Sequence, residues 1–195
     1  MHLKILKSFE VQLSTGVTIL VRSAQESDAP RIINYFKEIL ADSKVMLSQA
    51  HELNSTIEEY GNWIRNSNNS PSRLILLAVY GIDIIGMIDF ENGKRERNSH
   101  AGIFGMSVQK HWRGKGIGKA LLTSLLDWAE ASDTIEKVCL SVFANNYIAL
   151  NLYEKFGFEK EGIRPRSYKI APGEYIDEIM MYKLMKDYRD NHSPI

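Results

Sequence analysis

The segment from Val108 to Leu122 constrains the fold of this chain more than any other. It reads VQKHWRGKGIGKALL, in which an apolar strand ends at Val108 and a helix begins near Gly116, with glycines at alternate positions between them. Glycine permits positive φ angles and close backbone approach. The unpaired N–H groups and the dipole of a helix N-terminus favour an anion. The segment therefore predicts a phosphate-binding loop, to which Arg113 and Lys115 add positive charge.

Other glycine-rich motifs do not fit this segment. A Walker loop requires Gly, four residues and then Gly-Lys-Ser/Thr, but Arg113 occupies the first glycine position and Ala120 the hydroxyl position. A dinucleotide-binding G-x-G-x-x-G would need glycine at Lys119. The run Gly105–Gln109 approaches the hydrolase motif G-x-S-x-G but lacks its final glycine. The loop therefore supports neither a P-loop NTPase, nor a dinucleotide-binding enzyme, nor a serine hydrolase.

Composition and charge restrict the class of protein. The chain has 195 residues with 24 basic and 24 acidic side chains, and zero formal net charge argues against a dedicated nucleic-acid binder. We interpret the basic run Lys94–Arg97 as a solvated hairpin tip. The single cysteine, Cys139, cannot form an internal disulfide, no stretch reaches the ~20 apolar residues of a membrane span, and the histidines lack metal-ligand spacing. We expect one cytoplasmic domain over residues 1–195, with a core from about 17 to 184, that binds no metal, membrane or nucleic acid.

Hydrophobic periodicity predicts a mixed α/β fold with the order β-α-α-β-β-β-α-β-α-β-β. A strand at Val17–Arg22 precedes a helix with its N-cap in Ser27–Pro30, and a capping box at Ser55–Glu58 starts a second helix that extends to about Arg65. Residues 1–15 are left open as an extra strand or an ordered arm. The remaining predicted elements are strands 73–80, 84–91, one ending at 108, 137–143, 158–163 and 175–184, and helices 116–131 and 145–156.

Three structural details follow from this order. Consecutive hairpins before the glycine loop imply an antiparallel meander, and the helix after the loop implies that strand Lys137–Phe143 runs parallel to the preceding strand. Gly105 indicates a bulge or a close approach by a ligand. The last two strands are joined by a long loop that contains Ala171–Gly173. The sheet should thus contain about seven mostly antiparallel strands, together with four helices.

A second pattern follows the strand that ends at Phe143. It reads NxxAxxLYEKFGF from Asn146, and its Gly157 is suited to cap a helix. Together with RxxGxG from Arg113, this pattern resembles the two signatures of the GNAT N-acetyltransferases, in their usual order and separation. The resemblance extends from about Val17 to Leu184.

The resemblance implies a GNAT fold whose sheet is splayed between the strands ending at Val108 and Phe143, with acetyl-CoA in the opening. It implies direct attack on acetyl-CoA, in a ternary complex, by a primary amine of a small molecule or of a protein N-terminus. It also suggests a homodimer. By resemblance, the pantetheine arm contacts Asn146, the acetyl and pantetheine part contacts the backbone around Met106, Ser107 and Val108, and the pyrophosphate contacts Arg113, Gly114, Lys115, Gly116, Ile117, Gly118 and Lys119.

Acetyl transfer requires an amine of pKa about 10 to lose a proton and a thiolate of pKa about 8.5 to leave protonated. Tyr153 matches the general-acid position of the family, and a phenol is protonated at neutral pH. The backbone N–H of Val108 would stabilise the oxyanion. Cys139 lies inside a strand without an evident His partner, which disfavours covalent catalysis.

The general base is less clear, because the segment Asn98–Phe104, where some relatives carry a glutamate, contains no carboxylate. Asp89 and Glu91 lie on one face of the neighbouring strand, and His100 is a third candidate. We predict Glu91 as the base, acting directly or through water, and leave the other two open.

The acceptor amine and the alternatives to catalysis also remain open. Asp177 and Glu178 suit a cationic amine, whereas Arg164 and Arg166 suit an acceptor that carries a carboxylate. A catalytically silent acetyl-CoA-binding sensor or interaction module would use the same phosphate loop. The missing strand carboxylate slightly favours this alternative, and Tyr153 favours the enzyme.

Overall fold

A computed structural model describes residues 8–42 and 47–185 of the chain. These residues form a mixed α/β fold with eight strands and four helices, as predicted apart from one additional strand at the start. The strands are β1 Phe9–Gln12, β2 Thr18–Ser23, β3 Arg73–Tyr80, β4 Asp83–Asn92, β5 Ala101–Val108, β6 Lys137–Phe143, β7 Glu159–Ala171 and β8 Glu174–Leu184. The helices are α1 Ala29–Asp42, α2 Ile57–Asn68, α3 Ile117–Glu130 and α4 Tyr147–Lys155. The extra strand, β1, lies within the segment 1–15 that the sequence left open.

Strand pairing is mostly antiparallel. The pairs β1–β2, β2–β3, β3–β4, β6–β8 and β7–β8 are antiparallel. Strands β5 and β6 are parallel, with Ala101–Ile103 in register with Lys137–Cys139. The parallel pair confirms the prediction from the intervening helix, because a crossover through a helix returns the chain in the same direction. Among the described residues, none of the helices is both long and apolar enough to cross a membrane.

The contacts of the chain group into two compact units. Unit 1 comprises the residues up to Glu91 together with Gly105–Ser132, and unit 2 comprises Asn92–Phe104 together with the residues from Asp133 onward. Unit 1 contains β1 to β4, the second half of β5 and helices α1 to α3. Unit 2 contains the first half of β5, strands β6 to β8 and helix α4.

In unit 1 the two faces of β4 contact different helices. Met87 packs in a buried cluster with residues of α1 and α2, including Tyr35 and Ile64. On the opposite face, Phe90 packs edge-to-face on Trp128 of α3 with ring centroids 5.4 Å apart. Because side chains alternate along a strand, Asp89 lies on the same face as Met87, toward α1 and α2.

The face of β4 toward α3 also contains Gly86, which is buried beneath the first turns of that helix. A Cβ at Gly86 would lie 2.8 Å from Cγ2 of Ile117 and 3.2 Å from Cδ1 of Leu121. The absence of a side chain therefore allows α3 to approach the sheet closely. The apolar face predicted for α3 is confirmed, because all its predicted core residues are buried: Ile117, Leu121, Leu125 and Trp128.

The start of α2 differs from the prediction by one residue. The capping box is formed by Thr56 and Glu59, with Glu59 N–H donating to Thr56 Oγ1 at 3.2 Å and Thr56 N–H donating to Glu59 Oε2 at 2.7 Å. The predicted pair, Ser55 and Glu58, was wrong because adjacent Ser-Thr and Glu-Glu residues allow either register. The helix also continues to Asn68, past the predicted end at Arg65.

The closing hairpin of unit 2 is longer than predicted. Strand β7 was expected to end at Ile163 but continues to Ala171, and the expected long loop is a tight turn at Gly173, whose φ is +82°. The pairing with β8 shifts register between Arg164 and Tyr168. Within this irregular stretch Arg166 adopts a φ of 55°, and its backbone N–H donates to Asp177 Oδ1 at 2.7 Å.

Candidate active site

The glycine loop of unit 1 adopts the geometry of an anion-binding turn. Gly114 and Gly116 have left-handed φ angles of +74° and +100°. Gly116 is the N-cap of α3 and has no side chain that could accept a hydrogen bond from the first N–H groups of this helix. No atom of the described residues lies within 4 Å of a Cβ built on Gly114. The backbone is therefore open to a ligand, and its N–H groups suit a phosphate.

Cationic and aromatic side chains surround this loop. Arg113 donates from Nε to the carbonyl oxygen of Val108 at 3.0 Å, which fixes the guanidinium beside the end of β5. Trp112 packs against Tyr80 with ring centroids 5.0 Å apart, and Lys115 Nζ lies 4.9 Å from the centroid of the Trp112 ring. These contacts hold two of the positive charges of the loop close to its backbone N–H groups.

A cavity of about 430 Å³ lies between α1 and the loop. Its volume is within the range of small-molecule sites. Gln109 Nε2 donates to Glu38 Oε2 at 2.6 Å at the edge of this space. The lining residues are Glu38, Ile39, Ala41, Gln109, Lys110, His111 and Arg113. Lys110, His111 and Arg113 give the end of the cavity next to the glycine loop a basic lining.

Ser107 on β5 is hydrogen-bonded to Tyr35 of α1, with an Oη–Oγ distance of 2.9 Å. Burial raises the pKa of Tyr35, so its phenol remains protonated, and the backbone N–H of Met87 donates to its oxygen. Either oxygen can be the donor of this hydrogen bond, which links the end of β5 to α1. The sequence analysis missed Tyr35, because a tyrosine at a core position of a helix carries no pattern that separates it from packing residues.

The predicted base, Glu91, is held in an ion pair. Its Oε1 lies 2.7 Å from Nη2 of Arg73, the residue directly opposite on β3. Asp89, two residues earlier on the same face, is in a different environment. Burial, and to a lesser extent the negative charge of Glu91, raises the pKa of Asp89 to about 6. A Cβ at Gly105 would lie 3.2 Å from Asp89 Oδ1, so the close approach expected at this glycine is made by a carboxylate of the protein.

Two further predicted residues lie in unit 2. Asn146 is the N-cap of α4, where its Oδ1 accepts from the Ala149 N–H at 3.3 Å. Tyr153 is buried, with its ring 5.6 Å from Phe104 and 5.9 Å from Phe158, and burial raises its pKa to about 12. Within the part of the chain that the structure describes, its hydroxyl makes no hydrogen bond.

The structure thus places the predicted site residues in two groups. Residues 106–108 and 113–119 lie together in unit 1, along the end of β5 and the start of α3, and Glu91 lies in the same unit on β4. Asn146 and Tyr153 lie together in unit 2, on α4 and at its N-cap.

The charges proposed to select the acceptor partly neutralise one another. Glu178 is buried and accepts from Arg164 Nη1 at 3.0 Å and from Tyr168 Oη at 2.7 Å. Burial alone would raise the pKa of Glu178, but hydrogen bonds from Tyr168, Ser141 and Arg164 outweigh it and lower the pKa. Burial also raises the pKa of the Cys139 thiol, which agrees with the expectation that it is not a nucleophile.

Comparison with known proteins shows that this chain is similar to acetyltransferases. The sequence model of the Acetyltransferase (GNAT) family matches residues 34–158. The L-amino acid N-acetyltransferase AaaT of Escherichia coli is 29% identical over 122 residues, which cover 63% of this chain and 75% of the relative. The [ribosomal protein uS5]-alanine N-acetyltransferase of Escherichia coli is 25% identical over 177 residues, 88% of this chain and 89% of the relative. A GNAT-family acetyltransferase from Streptococcus pneumoniae superposes with a TM-score of 0.82 at 27% identity, covering 86% of this chain and 99% of that structure.

Proposed function

This chain belongs to the GNAT family and is by that relationship an N-acetyltransferase, and we propose that it acetylates a primary α-amine, of a free amino acid or of a protein N-terminus, by direct transfer from acetyl-CoA. The observation that carries the proposal is the open turn of two left-handed glycines at the start of α3, next to Arg113 and a basic cavity. This turn suits the pyrophosphate of a coenzyme that the family uses.

Acetyl-CoA supplies a thioester whose carbonyl carbon is attacked by the amine. The residues of unit 1 position the acetyl-CoA. The backbone N–H groups of Arg113–Lys119 bind the phosphates, and the hydrogen bond between Tyr35 and Ser107 holds the end of β5 in place. The Val108 N–H is assigned to the oxyanion by resemblance to the family.

Tyr153 assists the departure of the thiolate. Full proton transfer from a phenol of pKa about 12 to a thiolate of pKa about 8.5 is uphill by roughly 5 kcal/mol. Tyr153 therefore acts mainly as a hydrogen-bond donor to the sulfur, a contribution of about 1.5–3 kcal/mol for a charged acceptor. Its apolar surroundings, Phe104 and Phe158, strengthen such a bond because they exclude water.

The two Escherichia coli relatives favour an α-amine as the acceptor. The printed activities of the two Escherichia coli enzymes concern an L-amino acid and an alanine of a ribosomal protein, and both substrates present an amine on a Cα atom. The α-amino group has a pKa of about 8 in a peptide, lower than that of a lysine side chain at about 10.4. A moderately basic amine is the easier one to deprotonate near neutral pH.

The test is the release of free thiol from acetyl-CoA with L-alanine, a short peptide that begins with alanine, and spermine. We expect release with the α-amines and a decrease in kcat of about 10–100-fold in Tyr153→Phe. The matched control is Tyr182→Phe, which removes an exposed hydroxyl bonded to Glu159. Thiol release with spermine alone would refute the α-amine proposal, and binding of acetyl-CoA without release with any of the three acceptors would favour the acetyl-CoA-binding sensor.

A further inference from the structure

We propose that Asp89 accepts the proton of the acceptor amine, in place of the carboxylate that strand β5 lacks; this assignment rests on the proposed function. Strand β5 contains no acidic residue, from Ala101 to Val108. A carboxylate on the neighbouring strand can serve only if β5 leaves room for it, and the structure provides that room at Gly105.

The position of Asp89 is fixed by strand geometry. It lies on the face of β4 that also presents Met87 to α1. On β5, Gly105 and Ser107 share one face by alternation, and Ser107 contacts Tyr35 of α1. Asp89 Oδ1 lies 3.2 Å from the Cβ position of Gly105, so the carboxylate packs against β5 two residues before Ser107, on the same face. A side chain at 105 would displace it.

The bonding of Asp89 leaves it able to take a proton. Within residues 8–42 and 47–185, its carboxylate makes no hydrogen bond or ion pair. Glu91, in contrast, is bound to Arg73 at 2.7 Å. Proton uptake by Glu91 would weaken this ion pair, whereas proton uptake by Asp89 relieves the repulsion between the two carboxylates.

Few charged groups face Asp89 from the elements around it. On its own strand the nearby charge is Glu91, whose partner is Arg73 of β3. The residue opposite Asp89 on β3 is Ile75, and the residue beside it on β5 is Gly105, neither of which titrates. Tyr35 of α1 keeps its proton. The high pKa of Asp89, about 6, therefore arises from burial first and Glu91 second.

The proton and electron balance of the step is simple. One proton of the acceptor ammonium group passes to a carboxylate oxygen of Asp89, and the freed nitrogen lone pair forms the C–N bond. As the C–S bond breaks, a second proton leaves the nitrogen through water and protonates the thiolate, which gives the amide and the free thiol of coenzyme A. The proton then leaves Asp89 for solvent. A carboxylate of pKa about 6 is more basic than an ordinary aspartate by roughly a hundredfold, yet remains mostly ionised at pH 7.5.

The experiment compares Asp89→Asn with Glu91→Gln, and uses Asp83→Asn, an exposed change on the same strand, as a matched control. Acetyl transfer to L-alanine and to the less basic alaninamide is followed from pH 5 to pH 9. We expect Asp89→Asn to lower kcat by about 100-fold or more, to abolish the acidic limb of the pH–rate profile, and to bind acetyl-CoA as the wild type does. The loss should be smaller with alaninamide, because a less basic amine depends less on a base.

Different results overturn different parts of this argument. An active wild type with an unchanged acidic limb in Asp89→Asn overturns the assignment alone, and loss of that limb in Glu91→Gln instead returns the role to Glu91. Equal losses with both acceptors would also overturn it, because a merely structural role does not depend on amine basicity. A wild type that binds acetyl-CoA without acetylating L-alanine, alaninamide or spermine overturns the proposed function and the assignment together.

Discussion

The substitution Gly116→Ala tests the phosphate loop most directly. Gly116 has a φ of +100°, and the nearest atom to an added Cβ is Cδ2 of Leu13 at 4.0 Å, so the methyl group meets no obstacle. The penalty is conformational, about 1–2 kcal/mol for a non-glycine residue in the left-handed region. If the loop keeps its conformation, the free energy of unfolding falls by this amount, which lowers the Tm by roughly 2–8 °C for a chain of this length.

The alternative is that the loop of the variant relaxes to a negative φ. The free energy of unfolding of the ligand-free protein is then unchanged. The N–H groups of the loop no longer point toward the phosphate, however, so binding of acetyl-CoA must restore the strained conformation. Its Kd rises by about 5–30-fold, the equivalent of 1–2 kcal/mol. The loss of stability and the loss of affinity are parts of one strain energy, so their sum should be about 1–2 kcal/mol in either case.

Thermal unfolding and calorimetric titration with acetyl-CoA measure the two parts. Gly173→Ala is the matched control, because Gly173 has a φ of +82° in the β7–β8 turn and no atom within 4 Å of an added Cβ. It should lose stability without losing affinity. A Gly116→Ala protein with wild-type Tm and wild-type Kd would refute this reasoning, as would an equal loss of affinity in Gly173→Ala.

Three other outcomes follow from the structure. Asp89→Asn should raise the free energy of unfolding at pH 8 by up to about 3 kcal/mol and leave it unchanged at pH 3. The reason is that Asp89 has a pKa of about 6 in the folded state, so its ionisation at pH 8 destabilises the folded state relative to the unfolded state. Urea unfolding at the two pH values measures this difference. Tyr35→Phe removes the hydrogen bond with Ser107 and should lower the free energy of unfolding, measured with urea, by about 1–3 kcal/mol and weaken acetyl-CoA binding severalfold. Glu178→Gln should destabilise the protein most at pH 7 and less as the pH falls, because a lowered folded-state pKa gives stability that is complete above the ordinary value and is lost as the pH falls through the folded-state pKa. A Tm difference that does not shrink between pH 7 and pH 3 would contradict this.

Local features of the fold were predictable where one short pattern determines them. The helix after the glycine loop begins within one residue of its predicted start, since Gly116 marks its cap, and the 3.6-residue periodicity identified its buried face. Strand Lys137–Phe143 has its predicted bounds. The end of β7 was not predictable, because residues 164–170 are polar without apolar alternation and form a strand only through pairing with β8.

The residues of the candidate site also differ in whether a short sequence pattern could identify them. The glycines and Arg113 were identified from their spacing, which is local in the sequence. The difference between Asp89 and Glu91 could not be identified in this way, because the two carboxylates share one face and differ only in their cross-strand neighbours. Arg73 stands opposite Glu91 and Ile75 opposite Asp89, and this register is known only once β3 and β4 have been paired.

Gly86 constrains the glycine loop from a buried position beneath α3. Any side chain at 86 would push against Ile117 and Leu121, the first turns of the helix whose N-terminus forms the phosphate turn. A side chain at this buried position of the sheet would therefore weaken coenzyme binding by displacing the start of α3. In a library randomised at codon 86 and selected for binding of acetyl-CoA, glycine should be recovered far more often than alanine, although alanine differs from glycine by only one methyl group.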